Sequence, residues 1–469
     1  MNKSTQILLF VLALLMLAGA WFCALVEITT LVSYHHPFTA GEIFAWVTAN
    51  GYEVGDIASY CLRCVWPYWV LCSLATVALI IGVIYLYRRF LFKGSVAAFL
   101  LSFAILSPFI LIPTRMNLLR EGLYAHQQIH AIVQHKEDNA SFMYRVQRTD
   151  TTTFPEIYVL AIGESICYSH LSLNGQYGRR TTPLLEQQDN LLLFSDYYAN
   201  STLTQHAMPM LLTPAISNTF RQHYQYKTIA EAFNESGFTT ALISHCAQLM
   251  NNGYHNYLAK DFDTAIFVAH DSLIAQSIER LAQRENKLFI VTNYLGNHMF
   301  YTNRTEDCLV WRPDYNTDAR FKSDSLFLNA YDNSILYTDR ILNSELEVLK
   351  NTNAVSAWLF ISDHGEYISP RVSGHGHTYH PTKDEYHVPL MIWVSDEYTD
   401  TYPEKVANMI HHKDEPVCAD HVFWSVLDMA DIHIDSTLQQ EGMSIFGYTL
   451  LPHQRALLLP DGKSVMDLD

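Results

Sequence analysis

Ser362-Asp363-His364-Gly365-Glu366 places a carboxylate and an imidazole side by side, directly after the apolar run 357–361. Asp and His are oxygen and nitrogen donors that suit a divalent ion such as Zn²⁺. Taken alone, the pair also reads as a helix cap beside a surface histidine. A second carboxylate, Glu164, follows another apolar run, 157–162, through Gly163. Hydroxyls cluster at Ser201, Thr202 and Thr204, ahead of an apolar, helix-like stretch. Further imidazoles stand at His298, in Gly-Asn-His, and at His375, in Gly-His-Gly-His. Two carboxylates and an imidazole bind a divalent cation, and a hydroxyl in the fourth position has its pKa lowered, as bound water does. Deprotonated, that hydroxyl is a nucleophile able to form a covalent intermediate. A helix beginning there would offer N–H groups to a phosphate oxygen. Nearby histidines could protonate a leaving group or bind a second cation. The residues by themselves leave Ser201, Thr202 and Thr204 as rivals for the nucleophile.

The elements that must position these groups follow from the apolar pattern. Runs at 157–162, 239–244, 288–292, 357–361 and 390–394 read as buried strands, and amphipathic stretches at 227–235, 272–284, 327–349 and 420–430 read as helices. Their alternation predicts an α/β fold, a mostly parallel sheet sandwiched by helices. In such sheets ligands bind at the carboxyl ends of strands, where Glu164 and Asp363 fall.

The chain has 469 residues, 49% of them apolar, and a formal charge of -17. That acidity argues against a general nucleic-acid binder, which would carry a basic patch. Cys61 and Cys64 form a C-x-x-C, but no second pair stands at zinc-ribbon spacing. Cys167, Cys246, Cys308 and Cys418 could form disulfides if their region is exported, in a pairing that sequence cannot assign. Apolar runs at 6–26, 65–85 and 95–112 predict three membrane spans, although the first also resembles a cleaved signal peptide. Arg88, Arg89 and Lys93 form a basic loop that belongs, with Lys3, in the cytoplasm. Everything after Arg115 then lies outside. The expected organisation is a transmembrane domain at 1–115, a polar, partly helical linker at 116–154 and a catalytic domain at 155–469.

Several motifs occur together and in order: Gly163-Glu164-Ser165, Tyr177-Gly178-Arg179-Arg180-Thr181-Thr182-Pro183, the hydroxyl run ending at Pro209, Tyr331-Asp332-Asn333, Ser362 to Glu366, and His387-Val388-Pro389-Leu390. Across about 156–447 the chain resembles the phosphoethanolamine transferases of the alkaline phosphatase/sulfatase superfamily, which modify lipid A, LPS core or periplasmic glucans. The resemblance implies that Glu164, Asp363 and His364 hold a catalytic Zn²⁺ with Thr204, the nucleophile, which stands five residues before Pro209 as in the family. It implies substrate-side or second-zinc roles for His298 and His375, one of them a general acid. It further implies phosphatidylethanolamine as donor, an envelope glycolipid or glycan as acceptor, no nucleic-acid partner, and a multi-pass protein of the bacterial inner membrane with its catalytic domain in the periplasm. The chain departs from the family at Asn200 and Met210, where members often carry a disulfide. It also has Asn293 for an upstream histidine and Met299-Phe300 for Gly-Pro, and well-known members have five spans. The rival resemblance is to glycerophosphate transferases like lipoteichoic acid synthase, which use Mn²⁺. A non-catalytic membrane scaffold of the same fold is the other alternative. Arg179 and Arg180 could grip a phosphate or form structural ion pairs, and Cys167 reads as a packed thiol.

Overall fold

The computed structural model describes residues 3–34, 65–111, 141–148, 152–245, 258–298, 308–313, 324–368, 374–376 and 380–469, with scattered positions between them. The chain divides into two compact units, Met1–His130 and Ala131–Asp469.

The first unit contains α1 (Lys3–Tyr34) and α2 (Trp66–Leu111). Phe10 stacks on Tyr87 at 4.4 Å, Trp21 donates to Ser73 Oγ, and Trp69 donates to Thr29 Oγ1. These contacts run antiparallel. Yet Ala13 and Leu17 also cluster with Ala98, and a Cβ placed on Gly19 would lie 3.7 Å from Leu106 Cδ1. A straight helix rising about 1.5 Å per residue would hold Ser73 and Leu106 roughly 50 Å apart. The helical run therefore doubles back between its halves, and α1 packs against both. The basic segment expected at Arg88, Arg89 and Lys93 falls between Val83 and Ala98, where this run doubles back, and helical winding is assigned through it. Among the described residues two stretches are long and apolar enough to cross a membrane, Ser4–Val32 and Trp66–Arg89. The described apolar part of the expected third span, Val96–Ser107, is shorter. Position 112, Cys61, Cys64 and most of the expected linker lie outside the described residues. Leu15, Phe22, Leu71 and Ile81 face outward from this unit, an apolar surface suited to lipid.

The second unit is built on a seven-stranded sheet. In chain order the strands are β1 (Glu156–Gly163), β2 (Leu191–Leu193), β3 (Tyr197–Tyr198), β4 (Thr239–Ser244), β5 (Thr264–Phe267), β6 (Lys287–Asn293), β7 (Val355–Ser362), β8 (Leu390–Val394), β9 (Val417–Cys418), β10 (Ala456–Leu458) and β11 (Val465–Asp467). The main sheet runs β2-β8-β7-β1-β6-β4-β5, with β8 antiparallel to both neighbours and β1, β4, β5, β6 and β7 mutually parallel. This is the mostly parallel sheet expected. The labelled helices are α3 (Thr204–Leu212), α4 (Ile229–Glu235), α5 (Ile274–Ala282), α6 (Asp324–Lys350) and α7 (Val422–Met429). β1 shows why both faces need cover. Ile157, Val159 and Ala161 enter one core cluster, with residues of α5 and α6, while Tyr158, Leu160 and Ile162 enter the other, with residues of α3, α4 and α7. A strand alternates its side chains, and each buried aliphatic contributes about 1.5–3 kcal/mol. Strands β2 and β5 were not foreseen, since one has three residues and the other is largely exposed at the sheet edge. Residues 142–148 are not the helical tail of a linker. They form an irregular segment packed on this unit, where Tyr144 is buried, its N–H donates to Glu235 and its hydroxyl to Lys227 O.

Candidate active site

The two carboxylates meet through strand register. β1 and β7 are parallel with Gly163 opposite Ser362, so the next residues, Glu164 and Asp363, leave the sheet side by side. Asp363 N–H donates to Gly163 O, and Ile166 N–H to Ser362 Oγ, which ties the two strand ends together. Asp363 Oδ1 accepts from the N–H groups of Ser165 and His364. Its Oδ2 is buried, accepts no hydrogen bond, and faces His364 Nε2 at 3.4 Å.

His364 is oriented by its own turn. Nδ1 lies 2.9 Å from Gly365 O, and since a carbonyl only accepts, the proton sits on Nδ1 and the Nε2 lone pair faces the carboxylates. Gly365 permits this turn, because a Cβ there would stand 1.9 Å from Asp384 O. Glu164 Oε1 lies 3.4 Å from His364 Nε2.

The fourth group arrives on α3. That helix begins at Thr204, whose Oγ1 is 3.2 Å from His364 Nε2 and 3.4 Å from Glu164 Oε2. The first-turn N–H groups of a helix lack intrahelical partners, so they can face an anion. A tetrahedron with metal–donor distances of about 2.0–2.1 Å has edges of about 3.3–3.4 Å. Thr204 and His364 stand at that spacing from each other and from Glu164, through a different Glu164 oxygen in each case, and Asp363 Oδ2 stands at it from His364, the separations being 3.2 to 3.4 Å. They are too long for strong hydrogen bonds, and one carboxylate oxygen is left without a proton donor. The residues present therefore fit a tetrahedral divalent ion such as Zn²⁺.

His375 stacks on His364, ring centroids 3.8 Å apart. Its Nδ1 lies 2.9 Å from Thr202 O, so Nε2 carries the lone pair when the ring is neutral. Donor atoms of Glu164, His364 and His375 all lie within 4.8 Å of one another, so His375 stands among the ligand candidates. Gly376, at φ +69°, lets the loop close on the turn before Thr204, where a Cβ would meet Leu203 at 2.1 Å. His298 lies further out, 6.3 Å from His375 between ring centroids. Its loop is held by Asn297, which donates to Ser334 and accepts from Thr338, both on α6.

Arg179 pairs with buried Asp332 at 2.7 Å and Arg180 with Glu186 at 2.8 Å, which are structural ion pairs. Tyr177 and His170 complete the shell around Asp332. Cys167 and Cys418 are buried free thiols, and Cys246 lies outside the described residues. Burial pushes the Cys167 thiol up, so it stays protonated. Sequence reasoning missed how Cys167 works with Tyr331. Cys167 N–H donates to Tyr331 Oη, which in turn donates to Ser165 O, and this fixes the turn after Glu164. Glu366 is buried, accepts from Tyr301 Oη, and has its carboxyl raised to about 8, chiefly by burial. The only signal for these two was their place inside the Tyr-Asp-Asn and Asp-His-Gly-Glu motifs.

The sulfatase family model matches residues 156–432, more than half of the chain. The chain belongs to the sulfatase family. Phosphoethanolamine transferases are among its curated relatives. The chain is 26% identical over 297 residues to Kdo(2)-lipid A phosphoethanolamine 7''-transferase of Salmonella typhimurium, covering 59% of this chain and 51% of that one. It is 24% identical over 452 residues to phosphoethanolamine transferase EptC of Escherichia coli, covering 84% and 76%. The chain thus spans about half the length of the lipid A transferases that it matches. In fold it is similar to the integral membrane lipooligosaccharide phosphoethanolamine transferase A of Neisseria meningitidis, with TM-score 0.67 and 17% identity over 95% of this chain and 87% of that one. The sulfatase-like unit is similar to the periplasmic domain of E. coli EptC in complex with Zn, with TM-score 0.61 and 20% identity over 69% of this chain and 94% of that one. In this sulfatase-family chain the turn leading into Thr204 lacks the Cys/Ser-x-Pro-x-Arg pattern of formylglycine sulfatases.

Proposed function

We propose that this protein moves phosphoethanolamine from phosphatidylethanolamine, through a covalent ester on Thr204, to a glycolipid or glycan of the cell envelope. In this reading Glu164, Thr204, Asp363 and His364 hold Zn²⁺, and His298 and His375 serve the substrate. The protein is multi-pass in the bacterial inner membrane, with a transmembrane part at 1–115, a linker at 116–154 and a periplasmic catalytic domain from 155. The observation that carries the reading is the placement of Thr204 Oγ1 at the head of α3, 3.2 Å from His364 Nε2 and 3.4 Å from Glu164 Oε2. The relatives named as phosphoethanolamine transferases support the choice of group transferred.

A zinc ion held there would act as a Lewis acid, acidifying a hydroxyl and neutralising charge on phosphoryl oxygens. Thr204 Oγ1 attacks the phosphorus. The P–O bond to diacylglycerol breaks, and the departing oxygen takes a proton from His298 or His375. The first-turn N–H groups of α3 face the non-bridging oxygens as charge shifts among them. The acceptor's hydroxyl or phosphate oxygen then displaces Thr204 and regenerates it. Anchoring in the bilayer raises the effective concentration of a lipid donor at the site.

The test is mass spectrometry of the full chain after incubation with labelled phosphatidylethanolamine. A phosphoethanolamine mass on Thr204, absent in Thr204→Ala, is the expected outcome. A glycerophosphate adduct would move the assignment to the rival transferase. No adduct on zinc-loaded protein would rule out this chemistry.

A further inference from the structure

A second group of metal-type donors lies outside the catalytic set. Cys418 ends β9, Asp420 follows in the next turn, and His453 precedes β10. Donor atoms of these three side chains lie within 4.8 Å of one another. We propose that Cys418, Asp420 and His453 form a second, structural site for a thiophilic divalent ion of the Zn²⁺ type. This inference is independent of the transferase reading.

The chemistry of the donors selects the ion. Thiolate, carboxylate and imidazole together suit zinc rather than magnesium or calcium, which take oxygen donors. Charge also balances. A thiolate and a carboxylate neutralise a dication, so the loaded site carries no net charge into its buried surroundings. Without metal, Asp420 Oδ2 and His453 Nε2 are 2.9 Å apart and the Cys418 thiol is buried. Metal binding displaces the thiol proton to solvent, and the ion takes the place of the Asp420–His453 hydrogen bond. The neighbouring charges do not oppose this. His421 lies edge-on to His453, and Arg455 is paired with Asp196 and Asp469. The His453 side chain is 22% exposed, which gives an ion a way in.

The location suggests what the site is for. Asp420 Oδ1 accepts from Asn200 Nδ2 at 3.3 Å, and β3, which leads into that residue, pairs with β9. Thr204 stands four residues beyond Asn200. An ion at Cys418, Asp420 and His453 would clamp the strand pair from which the nucleophile turn springs.

Cobalt(II) is the probe, added to the full chain in detergent. A thiolate–cobalt charge-transfer band in the near ultraviolet reports Cys418, because the catalytic donors are oxygen and nitrogen only. The band is expected in the wild type and in Glu164→Gln. It should disappear in Cys418→Ser, and its half-saturation should shift at least about tenfold upward in His453→Ala. Zinc content should fall from about two ions per chain to about one in Cys418→Ser and likewise in Glu164→Gln. No band in the wild type at saturating cobalt overturns the proposal, as does a band that survives Cys418→Ser and so belongs to another cysteine. If Cys418→Ser does not fold, the wild type, Glu164→Gln and His453→Ala decide the matter, since a band insensitive to His453→Ala also overturns it.

Discussion

Thr204 Oγ1 stands 3.2 Å from His364 Nε2 across 160 residues of sequence. Neither side chain packs there for its own stability. The hydroxyl begins a helix whose later residues are buried, and the imidazole ends a strand whose every residue is buried. The scaffold spends its hydrophobic burial on holding two polar groups at the spacing of a tetrahedral edge.

Metal removal should destabilise the second unit as well as silence it. Without a cation, Glu164 and Asp363 are buried carboxylates beside one imidazole, and a ligand at a hundred times its Kd is worth about 2.7 kcal/mol. Chelation should lower Tm, and zinc should restore it in the wild type but not in Asp363→Asn. A melting curve indifferent to chelator would contradict the site.

Glu345 supplies a pH test remote from the catalytic centre. It is fully buried, accepts from Tyr294 Oη and Trp358 Nε1, and has its carboxyl raised from 4.5 to about 8, chiefly by burial. The folded form thus holds a proton that the unfolded chain has already lost between those values. Stability falls as pH rises through that window, by up to about 1.4 kcal/mol per pH unit for one group, and levels off above it. Tm against pH should slope less steeply between 5 and 8 in Glu345→Gln, a range set by that pKa window. Parallel slopes in the two proteins would show that the carboxyl is ionised throughout.

Arg179→Ala separates a structural ion pair from a phosphate grip. Asp332 is fully buried beneath the guanidinium, so losing the partner should cost about 3 kcal/mol in denaturant unfolding. KM for phosphatidylethanolamine should stay within about twofold of the wild type. A large rise in KM at unchanged stability would make Arg179 a substrate contact.

Gly376→Ala should push the His375 loop away from Leu203. Both the positive φ and the 2.1 Å approach forbid a side chain there. Transfer should fall by about tenfold or more, since an angstrom of misplacement can cost about a hundredfold, and Tm should fall with it, because Gly376 and Leu203 are both buried. Activity near that of the wild type would show that His375 takes no part in the reaction.

Much of this molecule was legible in one sequence. Strands 239–244 and 390–394 were bounded as observed, because short stretches of apolar and β-branched residues between polar breaks report burial on both sheet faces. Glu164 and Asp363 were visible as carboxylates at the ends of such runs. Segment 142–148 was misread, because its burial of Tyr144 depends on Glu235 and Lys227 in a distant part of the chain.

The apolar period and the order of donor residues are local properties, so the chain by itself determined the α/β alternation, the membrane-type N-terminal runs and the chemical kind of each site residue. Tertiary structure alone decided which donors meet. The Gly163–Ser362 register set Glu164 beside Asp363, the stacking of His375 on His364 put it among the ligand candidates, and the burial of Asp332 took Arg179 for an ion pair. A one-residue slip in β1 against β7 would preserve every motif and abolish the site, because donor distances depend on how strands align and not on how residues are spelled.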